Sequence, residues 1–261
     1  MKSHSSFLRL LANHSQDSRI FLNRKVRRQA HKLIKKRQPI VDNAPWTIGI
    51  IIDDTLHKRS NIKVNNSQKF TKGDNWVSGH QWTNICLLVC DQIIPLPPIP
   101  FYTFSECQEM GVEYKSSHQK IVHFIKTLNI SDIFGDKIRN DEIVFLLDGG
   151  FDDKNIQNVI NSRGFHFIAA LKKDRCFIKN KNKYQISKIM NDGRFHMNKK
   201  TIRLKASGHK NKRKEFRVKE LTGRLKGVIC DLKLVSSKKV ATKSIKYFAT
   251  NNLIVDLRII I

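Results

Sequence analysis

A chain of 261 residues with 49 Lys plus Arg against 22 Asp plus Glu carries a formal net charge of +27 at pH 7. Forty per cent apolar residues, with fifteen Phe among them, exclude a disordered basic tail and supply a core for one large domain or two small ones. No apolar run approaches the roughly 20 residues that span a bilayer, and Met1-Lys2-Ser3-His4 lacks a signal-like apolar stretch, so nucleic acid rather than membrane is the expected partner.

Residues 1–45 read as a basic, helical N-terminal segment, short enough to be the remnant of a DNA-binding region. The spacing predicts a helix over 19–37, with Val26, Ala30, Leu33 and Ile34 on one stripe and Arg24, Lys25, Arg27, Arg28, Lys32, Lys35, Lys36 and Arg37 on the others. Phosphate contact and a merely solvated helix face both fit that pattern. Pro39 ends it.

From Trp46 the composition turns to strand. Thr47 to Ile52 is β-branched apart from Gly49, as in a central strand covered on both faces. Residues 57–75 read as a loop or irregular hairpin, and Val77 to Val89 as two further strand segments. The four prolines of 93–102 allow at best an edge strand. An amphipathic helix is expected over His118 to Leu128, then a strand over 143–147. Asp152 or Asp153 caps a helix that Gly164 closes, and a strand follows from Phe165 to Leu171. Strand, acid, helix, strand is a βαβ unit with parallel pairing.

Residues 175–245 differ in kind. Thr201 to Lys205, Phe216 to Val218 and Val228 to Leu232 suggest short antiparallel strands in a basic, β-rich insertion. Its cations Lys199, Lys200, Arg203, Lys205, Lys210, Lys212, Arg213, Lys214, Arg217 and Lys219 are the candidate DNA contacts. Lys246 to Thr250 makes a last strand in the closing segment, 246–261.

Five cysteines, with no CxxC pair, give neither a disulfide framework nor a zinc cluster, which suits a reducing, cytoplasmic setting. Ser/His/Asp, Cys/His and phosphate-loop arrangements are absent, and no helix-turn-helix or zinc finger assigns sequence readout.

Two apolar strands end on acids: Ile48 to Ile52 on Asp53-Asp54-Thr55, and Ile143 to Leu147 on Asp148-Gly149-Gly150-Phe151. Either alone is an ordinary turn or cap. Side by side, they would converge on a divalent cation, Mg²⁺ or Mn²⁺, whose shell is completed by water and substrate phosphate.

Ile-Ile-Asp53-Asp54-Thr55, residues 72–82 (KGDNWVSGHQW), Leu147 to Phe151, Phe167 to Lys173 and Tyr247 to Asn251 together resemble successive blocks of DDE transposases of bacterial insertion sequences, over about residues 46–252. The resemblance implies an α/β, RNase H-like mixed sheet flanked by helices, with its core over 46–174 and the β-rich insertion after the second acid. It matches Asp53 to the first catalytic, metal-binding acid, with Asp54 as the alternative, and Asp148 to the second. It implies transposon-end and target DNA as substrates and a homodimer on paired ends.

The family's third acid, a glutamate on a helix after the last strand, has no match. Asp256 is the only acid after residue 231. The chain is therefore expected to be truncated before that helix, and inactive or nearly so in strand transfer. A non-catalytic basic nucleic-acid-binding protein, or a related metal-dependent nuclease that uses Asp54, are the rival expectations.

Overall fold

The protein is described from a computed structural model, covering residues 17–36, 38–58, 68–72, 75–193, 195, 197–205, 213–242 and 244–261. It opens with helix α1 (Asp17–Ile34), whose buried stripe holds Val26, Ala30, Leu33 and Ile34. Next come β1 (Ile48–Lys58), β2 (Gln68–Lys72), β3 (Asn75–Val89), β4 (Gln92–Pro95) and β5 (Ile99–Pro100). Three helices follow: α2 (Phe104–Glu109), α3 (Ser117–Thr127) and α4 (Ile130–Phe134). Ser116 caps α3 through a reciprocal box with Gln119. The βαβ unit is β6 (Ile143–Leu147), α5 (Lys154–Ser162) and β7 (His166–Leu171), in which Asp153 caps α5 by accepting from Asn155 N at 2.7 Å and Ile156 N at 3.2 Å. The remainder is β8 (Cys176–Lys179), β9 (Asn182–Gln185), a single turn α6 (Ile186–Ile189), β10 (Asn198–Lys205), β11 (Arg213–Leu225), β12 (Leu232–Lys239), β13 (Ile245–Thr250) and α7 (Leu257–Ile260).

Thirteen strands among the described residues make one mixed sheet in the order β2-β3-β1-β6-β7-β13-β12-β11-β8-β9, with β4 and β5 also on β3 and β10 on β11. Among the described residues, only β1–β6 and β6–β7 pair in parallel. The strands of the basic 175–245 segment extend this sheet through β13, which joins β7 to β12, and make no separate layer.

Three local expectations are corrected. The 77–89 stretch is one long strand, paired to β1 from Ile48↔Val89 to Lys58↔Gly79. The same ladder draws residues 57 and 58 into β1 and out of the expected loop. Residues 228–231 are not a strand: Gly227 turns at φ +84°, and Val228 N donates to Leu225 O. Ile229 stands exposed there, with its N–H donating to Asn158, and β12 begins only at Leu232.

The core lies on both faces of the sheet. On the first face Ile48, Ile50, Ile52, Phe145 and Phe167 meet α1, α3 and α5. On the second face Trp46, Val144, Ile168 and Val235 meet α7 through Leu257 and Ile260. Among the described residues no helix is long and apolar enough to cross a membrane. At the join of β8 and β11, a Cβ on Gly223 would stand 2.6 Å from Phe177 Cζ and 2.8 Å from Ile178 O. Because Phe177 is fully buried, Gly223→Ala is expected to cost about 1–3 kcal/mol by overpacking, read as a lower urea midpoint. A neutral result would mean that the two strands are not seated this closely.

Candidate functional site

The last parallel rung between β1 and β6 pairs Ile52 with Leu147, so Asp53 and Asp148 are the next residues on neighbouring strands. Both are exposed, at the carboxyl end of parallel strands, where open α/β sheets bind ligands. Alternation along β1 puts Ile50, Ile52 and Asp54 on the first face and Ile51 and Asp53 on the second. Cys86 on β3 pairs with Ile51 and so shares the second face, and burial first, then the charge of Asp53, push its thiol pKa up.

Asp54 is held in place. Its Oδ1 accepts from Thr83 Oγ1 at 2.6 Å and its Oδ2 from Gln81 Nε2 at 2.8 Å. Although much of its surface is exposed, the surrounding sheet removes enough water to raise its pKa above 3.8. The two hydrogen bonds oppose that rise, and the nearby charges of Asp148 and Asp53 add to it. The three carboxylates lie at one end of the sheet, Asp53 and Asp148 on the second face and Asp54 on the first.

Asp148 leaves β6 in extended geometry and its Oδ1 accepts from Gly150 N at 2.9 Å. The loop is fastened from above: His118 on α3 sets Nε2 at 2.9 Å from Gly150 O and Nδ1 at 3.5 Å from Asp153 Oδ2. A carbonyl only accepts, so Nε2 carries the proton. From below, Asp152 has its side chain only 1% exposed, 3.4 Å from Arg175 Nε, and accepts from Gln157 Nε2 at 3.2 Å and Lys172 N at 3.3 Å. Asp153, not this buried acid, caps α5.

Among the described residues no group of three or more His, Cys, Asp or Glu side chains forms a ready metal cage. The donor set instead suits Mg²⁺ or Mn²⁺, which needs only one or two carboxylates and takes its remaining ligands from water and phosphate. Asp53 and Asp148, at the ends of neighbouring strands, could supply such carboxylates.

Among the described residues, the expected DNA contacts are divided between the two faces of the sheet. The β10–β11 register places Lys200 and Lys214 on the second face with Ile202 and Val218, and Lys199, Arg203, Arg217 and Lys219 on the first. Arg203 is paired with Glu215 at 3.1 Å, and Lys219 donates to Met190 O at 2.8 Å. Lys205 and Arg213 pair at the hairpin's far rung, while Lys210 and Lys212 lie outside the described residues. Asp256 accepts from Arg258 N at 2.7 Å as the cap of α7, in a groove shared with Lys200, Arg203 and Lys233. None of that groove's lining comes from β1 or β6.

Asn251, within the last block of the sequence reading, is a fastener. Its Oδ1 accepts from Phe167 N at 2.9 Å, and its Nδ2 donates to Phe165 O at 2.9 Å and to Asn161 Oδ1 at 3.1 Å, tying the end of β13 to β7. No family model matches the chain, and no curated protein matches it.

Proposed function

We propose that the chain is the catalytic core of a DDE-type transposase, an RNase H-like domain that holds Mg²⁺ or Mn²⁺ for phosphoryl transfer on DNA. The observation that carries this reading is the placement of Asp53 and Asp148 one rung beyond Ile52↔Leu147 on parallel neighbouring strands. The strand order β4-β3-β1-β6-β7, antiparallel up to β1 and parallel after it, supports it, because it is the order an RNase H-like core uses. The basic β segment falls between Asp148 and β13, where the family's insertion belongs. Helix α7 then starts on the second face, the face of Asp53.

Each residue has a defined task in this reading. Asp53 and Asp148 supply carboxylate oxygens to the cation. Asp54, fixed by Thr83 and Gln81, adds negative charge that strengthens cation binding. His118 and the Asp152–Arg175 pair hold the 148–153 loop in place. When bound, the cation neutralises phosphate charge and makes a coordinated water or hydroxyl more acidic. The family works with three acids and these residues supply two, with Asp256 engaged elsewhere, so cation uptake rather than turnover is the informative readout.

Isothermal titration of the chain with MnCl₂, alone and with a short DNA duplex, tests the reading. A saturable site that excess Mg²⁺ displaces, and that the duplex tightens, is expected. A chain that binds the duplex yet takes up no Mn²⁺ would instead be a non-catalytic nucleic-acid-binding protein.

A further inference from the structure

The outward surface of α1 carries charge that the metal site does not use. Its buried stripe, Val26, Ala30, Leu33 and Ile34, packs into the core, and Arg24, Lys25, Arg27, Arg28, His31 and Lys32 are all exposed. Arg24, Arg28, His31 and Lys35, the last in the turn that closes the helix, follow at i, i+4, i+7 and i+11. That spacing sets them in one row with neighbours roughly 5–6 Å apart. Asp17 is the only acid in the helix sequence, and Asp132 on α4 sits 3.7 Å from Arg27 beside the row. A groove of 540 Å³ runs along it, lined by Arg27, Arg28, His31, Lys32, Lys35 and Asp132.

Like charges at i and i+4, such as Arg24 with Arg28 and Arg28 with Lys32, destabilise a helix. A face that merely needed solvation would intersperse acids. Membrane docking would need apolar residues on the outward face. From Arg24 to Lys32 every exposed residue is polar or charged.

We propose that this row is a docking surface for the phosphate backbone of duplex DNA, separate from the carboxylate site and indifferent to base sequence. The choice of DNA rests on the transposase reading. The existence of a polyanion surface rests on α1 alone. Backbone contacts of this kind release counterions, so their affinity falls with the logarithm of salt concentration.

The test compares the wild-type chain with R24Q/R28Q/K32Q/K35Q, in which glutamine keeps helix propensity, by fluorescence anisotropy on a labelled duplex across a salt series. The salt slope is expected to shrink by roughly 0.9 for each phosphate contact removed, and low-salt affinity to fall at least about tenfold, for any DNA sequence. Circular dichroism checks folding. If the fourfold variant unfolds, R28Q/K35Q serves, with about half the slope change. An unchanged slope in a folded variant overturns the proposal, as does single-stranded RNA competing better than duplex DNA. Mn²⁺ titration of the same variant separates the two readings. Lost salt slope with intact Mn²⁺ uptake supports the α1 surface, whereas absent Mn²⁺ uptake in the wild type with a normal α1 effect sinks only the catalytic reading.

Discussion

Asp148→Asn and Asp53→Asn are each expected to weaken Mn²⁺ binding at least about tenfold, the lower range of loss seen when mere outer-sphere partners of a metal are removed. The double variant should show no saturable binding. Asparagine is the informative replacement at 148, because its side-chain oxygen still accepts from Gly150 N while the charge is gone. The fold is therefore kept and only the ligand is changed. Asp54 behaves differently. Thr83 is only 4% exposed and donates to Asp54, so Asp54→Ala leaves a buried hydroxyl without its acceptor, at a cost of about 1–3 kcal/mol of stability. Its effect on Mn²⁺ is smaller, since it acts through charge. Titration calorimetry and urea unfolding on these variants, together with Asp54→Asn, check both halves. If Asp54→Asn abolishes Mn²⁺ uptake while Asp53→Asn spares it, the ligand assignment must be exchanged.

That choice between Asp53 and Asp54 marks the boundary of what local sequence reveals. The apolar runs of β1 and β6, the amphipathic α3 and the Asp153-capped α5 were legible because each has a strong period and a capping residue. Which acid faces which side depends on the register of β1 against β6 and β3, and no property of Asp-Asp-Thr alone encodes it. The joining of 175–245 to the same sheet was equally hidden, because edge pairing between β13 and β12 is a long-range choice made by backbone groups. Ser236 and Ser237 are buried there on a strand whose composition reads as half polar. The division of Lys199 to Lys219 between two faces follows from that pairing, and a count of charges along the chain could not show it. Helix α1 is the counter-example. Its single buried stripe was visible as a periodicity, and the uninterrupted charge on its remaining faces was visible with it.

Asp152→Ala is expected to be the most damaging change near the site, costing about 3–5 kcal/mol, because removing one member of a buried pair leaves the other uncompensated. Arg175 Nε and Nη2 are buried with no hydrogen-bond acceptor, Nε having only its ion-pair contact with Asp152 at 3.4 Å, and Lys172 N and Gln157 Nε2 lose their acceptor at the same stroke. The 148–153 loop would loosen with them, so Mn²⁺ uptake should fall although Asp152 is no ligand. Burial raises the Asp152 pKa above 3.8, and the charge of Arg175 only partly opposes it. The folded chain thus holds that proton to higher pH than the unfolded chain. Stability from this group is full below the unfolded pKa and is lost as pH rises through the folded one. Asp152→Asn cannot titrate, so the stability advantage of the wild type over this variant should shrink as pH rises from below 3.8 through the raised folded-state pKa. Urea midpoints for both proteins across that interval measure it. An advantage that grows with pH would mean that the attraction of Arg175 outweighs the cost of burying the carboxylate, and that the loop beneath Asp148 is held by charge rather than by hydrogen bonds.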